Sequence, residues 1–133
     1  MGSIEQVLRR ARNIAVVGAS SKPHRPSYGI FGYLLDAGYR VFPVNPNEKT
    51  VHGRVAYPTL ESVPEPIDLV DVFRRSDQTP AVAKSAVAVG AGTLWLQQGV
   101  RNEQAAQIAQ EAGLTVVMDR CIAVAHAQLG LKA

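Results

Sequence analysis

The sequence predicts an α/β domain in which helices cover both faces of a doubly wound parallel sheet. Five short runs of apolar, often β-branched residues recur along the 133 residues. Segments with helical spacing separate them, an alternation typical of β-α-β units. Within each run the apolar residues are nearly continuous, which indicates strands buried on both faces. A chain of this length accommodates one domain with a real core, which we expect to span residues 1–133.

The five apolar runs give the strands of the predicted sheet. They are residues 13–17, 39–44, 69–73, 93–97 and 114–118. We expect a Rossmann-like five-stranded parallel sheet in the order 3-2-1-4-5. Between the second and third runs, residues 48–66 are predicted to be irregular, with one helical turn at 59–63.

The predicted helices are marked by capping residues at their starts and by glycines after their ends. They cover 4–11, 27–37, a segment that follows Ser76 or Asp77 and runs through 87, 103–112 and 122–129. Ser3 caps the first helix, with Gln6 at the capping-box position, and Asn102 caps the fourth. Gly38 and Gly130 follow helix ends, where a left-handed residue is common.

Composition and charge exclude some classes of binding partner. The formal net charge is +3, without a run of basic residues, so no nucleic-acid partner is expected. No apolar run reaches the length of a membrane span. Cys121 is the single cysteine, which excludes an intrachain disulfide and fits a reducing compartment. We therefore expect a cytoplasmic protein with neither nucleic acid nor membrane as a partner.

The segment after the first strand has the character of a phosphate-binding loop. The strand opens through Gly18 into the start of a helix, where free backbone N–H groups and the helix dipole favour an anion. The dinucleotide fingerprint G-x-G-x-x-G is absent, because Ser20 stands where the second glycine would be. Lys22, His24 and Arg25 add positive charge in the same loop. A phosphate-bearing ligand other than a plain dinucleotide is predicted.

The end of the second strand refines this prediction. Nicotinamide and flavin sites place an acid there to bind the ribose 2′-hydroxyl, whereas this chain has Asn45 and no acid before Glu48. A neutral amide near a basic loop tolerates a phosphate on the ribose, which coenzyme A and NADP both carry. The ligand is expected beyond the strand ends, in the loops at 18–21, 45–47, 73–76, 97–100 and 119–122.

Several motifs, taken in order, resemble a known family. They are Val-Gly-Ala-Ser at 17–20 with its basic loop, Tyr-Gly at 28–29 and Pro-Val-Asn-Pro at 43–46, and the likeness continues through 68–74, 94–99 and 118–121. The chain resembles stand-alone CoA-binding domain proteins over about residues 10–130. These proteins are similar to the N-terminal CoA-binding domain of the succinyl-CoA synthetase α-subunit and of NDP-forming acyl-CoA synthetases.

The resemblance implies a coenzyme A site built from four strand ends. Its residues would be Gly18, Ala19, Ser20, Ser21, Lys22, Arg25, Ser27, Tyr28, Gly29, Asn45, Pro46, Val72, Phe73, Arg74, Gln97 and Gly99. The first loop and the helix start would contact the pyrophosphate, with Lys22 or Arg25 on the ligand phosphates. The residues after the second and third strands would border the adenosine, and Gln97 and Gly99 would lie toward the pantetheine arm.

No catalytic residue and no metal ligand is predicted. The synthetases carry their ligase domain and phosphorylated histidine outside the region that this chain resembles. We therefore expect a protein that binds coenzyme A, or an acyl-CoA or CoA derivative, at the C-terminal edge of the sheet without chemistry of its own. Two other functions stay open, an NADP-type nucleotide-dependent enzyme and a regulatory or assembly module that responds to CoA. A homo-oligomer or a protein partner also stays open.

A few residues outside this set allow two interpretations. Cys121 is either a redox partner for the thiol of bound CoA or a small buried residue at a strand–helix junction. Asp119 and Arg120 are either a catalytic acid with its partner or, more commonly, a pair that fixes a loop. His52 and His126 are expected to be structural or solvated.

Overall fold

The computed structural model describes residues 3–131; residues 1–2 and 132–133, the ends of the predicted domain, lie outside this part. The strands are β1 Asn13–Val17, β2 Arg40–Val44, β3 Thr50–Val51, β4 Arg54–Val55, β5 Leu69–Val72, β6 Thr93–Leu96 and β7 Thr115–Val117. The helices are α1 Ile4–Arg10, α2 Pro26–Asp36, α3 Thr79–Ala88, α4 Glu103–Glu111 and α5 Ile122–Leu129, with 3₁₀ turns at Leu60–Ser62 and Ser76–Gln78.

Five parallel strands form the main sheet in the order β2-β1-β5-β6-β7. This confirms the predicted fold class, a doubly wound, Rossmann-like parallel sheet with helices on both faces. The neighbours of the first strand need one correction. β5, the third of the five predicted strands, pairs with β1 through residues such as Ile14 and Leu69 and does not lie beside β2.

The position beside β2 is occupied by the segment around Tyr57. The Tyr57 N–H donates to the Pro43 carbonyl and the Tyr57 carbonyl accepts from the Asn45 N–H, both at 2.9 Å. An isolated parallel bridge joins Tyr57 to Val44. When this one-residue strand is counted as the third, the sheet follows the predicted 3-2-1-4-5 pattern and then continues with β7. A single bridging residue leaves no apolar run, so the sequence did not reveal it.

Apolar side chains from the sheet fill two layers. Ile14 and Val16 of β1 face the layer formed with α1, α2 and α5, whereas Ala15 and Val17 face the layer formed with α3 and α4. All four side chains are 5% exposed or less. Burial on both faces explains the uninterrupted apolar runs of the sequence.

The predicted caps of the first and fourth helices are confirmed, whereas Ser76 and Asp77 lie in a 3₁₀ turn and Gln78 is the N-cap of α3. Ser3 Oγ accepts from the Gln6 N–H at 3.2 Å, and Asn102 Oδ1 accepts from the Ala105 N–H at 2.9 Å. Gly130 ends α5 with φ of 64°. These contacts satisfy helix-end groups that would otherwise lack a partner.

Three segments differ from the expectation. α2 begins at Pro26, one residue early, and α3 begins at Thr79 because Ser76–Gln78 forms a 3₁₀ turn. The segment predicted to be irregular contains the β3–β4 hairpin, whose turn has positive φ at His52 and Gly53. The helical turn predicted at 59–63 is confirmed by the 3₁₀ turn. Within residues 3–131, no helix combines the length and the apolar character needed to cross a bilayer.

Candidate ligand-binding site

A cavity of about 850 Å³ opens where β2, β1, β5 and β6 end. The strand order reverses between β1 and β5. From β1 the next strand of the sheet, β2, lies to one side, whereas from β5 the next strand, β6, lies to the other side. In open α/β sheets this reversal leaves a crevice at the carboxyl ends of the strands, where ligands bind. The volume falls within the range of small-molecule and cofactor sites. The cavity therefore lies where the fold class predicts a site.

The cavity brings together residues from each predicted loop. Among the predicted site residues it is lined by Gly18, Ser20, Lys22, Arg25, Ser27, Asn45, Phe73, Arg74 and Gln97. It is also lined by residues that were not named individually as site residues, although they lie in loops where the ligand was expected, namely Asn47, Arg75, Gln98, Val100 and Cys121. Pro26, Ile30 and Glu48 line it from outside those loops, each within three residues of a predicted site residue.

Gly18 allows three strand ends to converge at the centre of the cavity. Its φ is +86°, and a Cβ placed there would lie 2.2 Å from the Phe73 carbonyl oxygen. The Gly18 N–H donates to the Val44 carbonyl at 2.9 Å, and the Phe73 N–H donates to the Val17 carbonyl at 2.8 Å. Only glycine combines this backbone conformation with this close approach.

Two serines connect the first loop to α2. The Ser20 N–H donates to Ser27 Oγ at 3.1 Å, and Ser20 Oγ accepts from the Lys22 N–H at 3.1 Å. Ser27 is 4% exposed and lies in the first turn of α2. The loop is thus held against the positive end of the helix dipole, the arrangement that favours an anion.

Asn45 connects the loop after β2 to the loop after β1. Its Nδ2 donates to the Ala19 carbonyl at 2.9 Å, and its Oδ1 accepts from the Asn47 N–H at 2.9 Å. Both polar ends of this side chain are therefore engaged in fixing the two loops. Asn45 therefore both lines the cavity and holds the two loops in position.

Cationic side chains dominate the charged groups of the cavity. Lys22 and Arg25 come from the loop after β1, and Arg74 and Arg75 come from the loop after β5. Of the described residues that line the cavity, Glu48 is the one carboxylate. The balance of charge favours an anionic ligand.

Glu48 lies four residues beyond β2 and returns to the cavity through a turn. The Glu48 N–H donates to the Asn45 carbonyl at 3.3 Å, and Glu48 Oε2 accepts from the Ser21 N–H at 2.9 Å. Hydrogen bonding from Ser21, with a smaller contribution from the Lys22 ammonium, lowers the pKa of Glu48. An ionised carboxylate therefore stands at the end of β2, which the sequence analysis did not anticipate.

Some predicted site residues do not line the cavity. They are Ala19, Ser21, Tyr28, Gly29, Pro46, Val72 and Gly99. Ala19 and Val72 are fully buried in the core, while Gly29 and Pro46 are exposed outside the cavity. The Ser21 N–H is engaged by Glu48. Contact between these residues and a ligand stays a prediction.

The Tyr28 ring packs against His52 instead of lining the cavity. The two rings stack with centroids 4.0 Å apart, and His52 Nε2 lies 2.7 Å from the Tyr28 carbonyl. His52 also stacks on Phe31 at 5.4 Å, so it fastens the β3–β4 hairpin to α2. His126 is 1% exposed, and its Nδ1 lies 2.9 Å from the Tyr33 hydroxyl. Both histidines make the structural contacts that were expected of them.

Gln97 and Cys121 form the other end of the cavity. Gln97 is 4% exposed, and its Oε1 accepts from the Ile122 N–H at the start of α5, at 3.1 Å. Cys121 is half-buried at the N-cap of α5. A second cavity of about 410 Å³ lies next to the first and shares Gln98 and Cys121 with it.

The loops beyond β6 and β7 are held together by Asp119. Its φ is +61°, its Oδ1 accepts from the Gly99 N–H at 2.7 Å, and its Oδ2 lies 3.6 Å from Arg101. The indole N–H of Trp95, a fully buried residue, donates to the Arg120 carbonyl at 2.8 Å. These contacts support a loop-fixing role for Asp119 and Arg120. No metal-binding group of three or more His, Cys, Asp or Glu occurs within residues 3–131.

One buried acid lies in β5, two residues before Phe73. Asp71 of β5 is completely buried, and neither of its carboxyl oxygens has a hydrogen-bond partner among the described residues. Burial raises the pKa of Asp71 well above its usual value, because an apolar environment disfavours the charged carboxylate.

The parallel sheet, the glycine turn and the cationic cavity define a Rossmann-like α/β protein with a crevice suited to an anionic ligand. The family model of the CoA binding domain matches residues 12–127. The chain therefore belongs to the CoA-binding domain family.

Curated relatives include stand-alone proteins and longer ligases. An uncharacterized protein, YneT, from Bacillus subtilis is 46% identical over 93% of this chain and 92% of its own length. The α subunit of an ADP-forming acetate–CoA ligase from Pyrococcus furiosus is 29% identical over 92% of this chain. This chain spans 29% of that ligase subunit's length.

Solved structures share the fold. A hypothetical protein from Pyrococcus horikoshii is 40% identical, with a TM-score of 0.93 over 95% of this chain and 89% of that one. A dinucleotide-forming acetyl-coenzyme A synthetase from Candidatus Korarchaeum cryptofilum has a TM-score of 0.74, covering 88% of this chain and 28% of the synthetase chain. At 24% identity, the synthetase shows likeness of fold.

Proposed function

We propose that this chain binds coenzyme A, or an acyl-CoA or other CoA derivative, in the cavity at the carboxyl edge of the sheet. The observation that supports the proposal most is the cavity at the reversal of strand order, where four cationic side chains face one carboxylate. Coenzyme A carries a pyrophosphate and a 3′-phosphate, and clustered Lys and Arg side chains are the groups that bind phosphates. Membership of the CoA-binding domain family supports the same ligand.

In the proposed orientation the phosphates lie at the carboxyl end of β1, beside the start of α2. Lys22 and Arg25 bind phosphate oxygens, and the serine-tied loop offers its backbone at the start of α2. Asn45 and Phe73 border the adenosine, while Gln97 lies toward the pantetheine arm. The predicted contacts of the residues outside the cavity lining belong to this proposal and would need a small movement of their loops.

We further propose that the chain, as a single domain over residues 1–133, binds CoA without catalysing a reaction on it. Polar groups near the cavity support this, since Ser20, Ser27 and Asn45 are engaged in holding loops together. A cytoplasmic location stays a prediction, and a homo-oligomer or a protein partner stays open. A regulatory or assembly role that responds to CoA would use the same site.

An NADP-type enzyme is a weaker candidate for this cavity. The 2′-phosphate of NADP would have to lie near the end of β2, where the Glu48 carboxylate is fixed by Ser21. Like charges at that position oppose binding. Coenzyme A carries its ribose phosphate on the 3′-oxygen and has a neutral hydroxyl at the 2′ position, so the carboxylate opposes it less.

Calorimetry with three ligands tests the proposed function. We expect CoA to bind more tightly than dephospho-CoA, which lacks the 3′-phosphate, and NADP to bind weakest. Lys22→Ala should weaken CoA binding by about 5-fold, since it removes a charge-assisted contact at a partly exposed site. Lys84→Ala is the matched control, because this exposed lysine of α3 does not line the cavity. No heat of binding with CoA would contradict the proposal, and equal affinities for CoA and dephospho-CoA would contradict the role of charge.

A further inference from the structure

Cys121 is the one thiol of the chain, and it lies between two cavities. It lines the 850 Å³ cavity and also the neighbouring 410 Å³ cavity. It is half-buried and precedes the first turn of α5. A thiol in this position is open to a ligand from either side while remaining within the fold.

Gln97 supplies a second, independent indication of a ligand at this end of the cavity. The residue is 4% exposed, and Oε1 accepts a hydrogen bond from the Ile122 N–H. Its Nε2 has no hydrogen-bond partner within residues 3–131, and the residue lines the cavity. An amide donor without a partner at the wall of a cavity is suited to an acceptor on a bound molecule. Since Ile122 follows Cys121 directly, that acceptor would lie beside the thiol.

The two ends of the cavity match a ligand that carries phosphates at one end and sulfur at the other. Lys22 and Arg25 lie near the ends of β1 and β2, whereas Gln97 and Cys121 lie at and beyond the end of β6. Three strand spacings, roughly 14 Å, separate β2 from β6. Coenzyme A is an extended molecule with this arrangement, its thiol lying at the far end of the pantetheine arm from the phosphates.

We propose that Cys121 undergoes thiol–disulfide exchange with the disulfide form of coenzyme A. The product is a chain joined through Cys121 to one CoA. This inference rests on the proposed function, because the CoA site brings the disulfide to the thiol.

The exchange balances without a further reagent. Cys121 releases its proton to solvent, and its thiolate attacks one sulfur of the CoA disulfide. A bond forms between the Cys121 sulfur and that sulfur, the original S–S bond breaks, and the second CoA departs as a thiolate that takes up a proton. Cys121 is oxidised and the departing CoA is reduced, so the disulfide itself is the oxidant. The second cavity gives the departing half a space beside Cys121 that is separate from the CoA cavity.

Intact-mass spectrometry of the reduced protein with CoA disulfide tests the exchange. We expect one CoA per chain, released by dithiothreitol and absent from Cys121→Ser. The reaction should be at least about 10-fold faster with CoA disulfide than with oxidised glutathione, which offers the same bond without the nucleotide. Excess desulfo-CoA, which has no thiol and so cannot reverse the exchange, should slow it. Lys22→Ala, at the far end of the cavity, should slow the reaction with CoA disulfide and leave that with oxidised glutathione unchanged.

Two results would overturn the inference. Equal rates with the two disulfides would mean that Cys121 reacts as an ordinary exposed thiol, and so would a rate that desulfo-CoA does not change. Calorimetry on Cys121→Ser separates the two levels of the proposal. If this variant binds CoA while the wild-type chain forms no adduct, the exchange is wrong and the proposed function stands. If neither chain binds CoA, both are wrong.

Discussion

The two ends of the cavity are built from different chemistry. At the end near β1 and β2, Lys22 and Arg25 project from an exposed loop. At the end near β6 and α5, Gln97 is almost completely buried and Cys121 is half-buried, while Arg101 lies close to Asp119. The end near β1 and β2 is suited to a charged part of a ligand, and the end near β6 and α5 is suited to neutral polar groups. A ligand with one charged half and one neutral half would therefore bind in a single orientation.

The largest expected effect compares a glycine from each end. Gly18 and Gly99 both have φ of +86°, but only Gly18 would bring a Cβ against a neighbour, 2.2 Å from the Phe73 carbonyl oxygen. We expect Gly18→Ala to lower the free energy of unfolding by about 3 kcal/mol or more, through the clash and the backbone strain together. Gly99→Ala carries the backbone strain alone, about 1 kcal/mol. Urea denaturation measures both losses of stability. Equal losses would show that the ends of β1 and β5 move apart at no cost and so relieve the clash at Gly18.

The next effect concerns β5, which lies between the two ends. Because burial raises the pKa of Asp71, the folded chain holds a proton that the unfolded chain releases above about pH 4. The stability that this proton confers is complete below the unfolded pKa. It is lost as pH rises toward the folded pKa, by up to about 1.4 kcal/mol per pH unit.

Asp71→Asn should remove this pH dependence, because an amide does not ionise. Urea denaturation of both chains between about pH 5 and about pH 8 measures the difference. We expect the wild-type chain to lose stability relative to the variant as pH rises. A constant difference between the two chains would contradict a raised pKa of Asp71.

The smallest expected effect concerns the one carboxylate at the charged end. Glu48→Gln should tighten CoA binding by about 2- to 5-fold, because it removes a negative charge from a partly exposed site that binds phosphates. Since Ser21 and Lys22 lower the pKa of Glu48, the carboxylate stays ionised above about pH 5 and the gain should be constant up to about pH 8.

Glu61→Gln, on an exposed 3₁₀ turn outside the cavity, is the control for the Glu48 variant. Weaker binding in Glu48→Gln would instead indicate that the carboxylate accepts a hydrogen bond from the ligand, as a ribose hydroxyl could provide.

Local sequence signals predicted most of the elements correctly. Ser3 and Asn102 cap helices because their side chains reach backbone N–H groups within the same turn, so their contacts depend only on nearby residues. The buried strands were recognisable because both faces of β1 are covered. The strand beside β2 was not recognisable, because Tyr57 joins the sheet through a single bridge.

The sequence predicted which loops form the candidate site better than it predicted which residues line it. Gly18 was identified because its neighbours in sequence, a strand before it and a helix start after it, indicate a turn. Glu48 was missed because a turn after Asn45 brings it back against Ser21, a contact between residues far apart in sequence. Gly99 was assigned to the site, yet its N–H is engaged by Asp119 from the next loop. Contacts of this kind depend on the packing of the whole sheet edge.

Trp95 gives the molecule an optical reporter of its own. It is the single tryptophan of the chain, it is fully buried, and its indole N–H is held by the Arg120 carbonyl, next to Cys121. The emission of an indole depends on the hydrogen bond it donates and on the polarity around it. Events at the neutral end of the cavity should therefore change the intrinsic fluorescence, while events confined to the charged end should leave it unaltered. Occupancy of the two halves can thus be followed separately without attaching a dye.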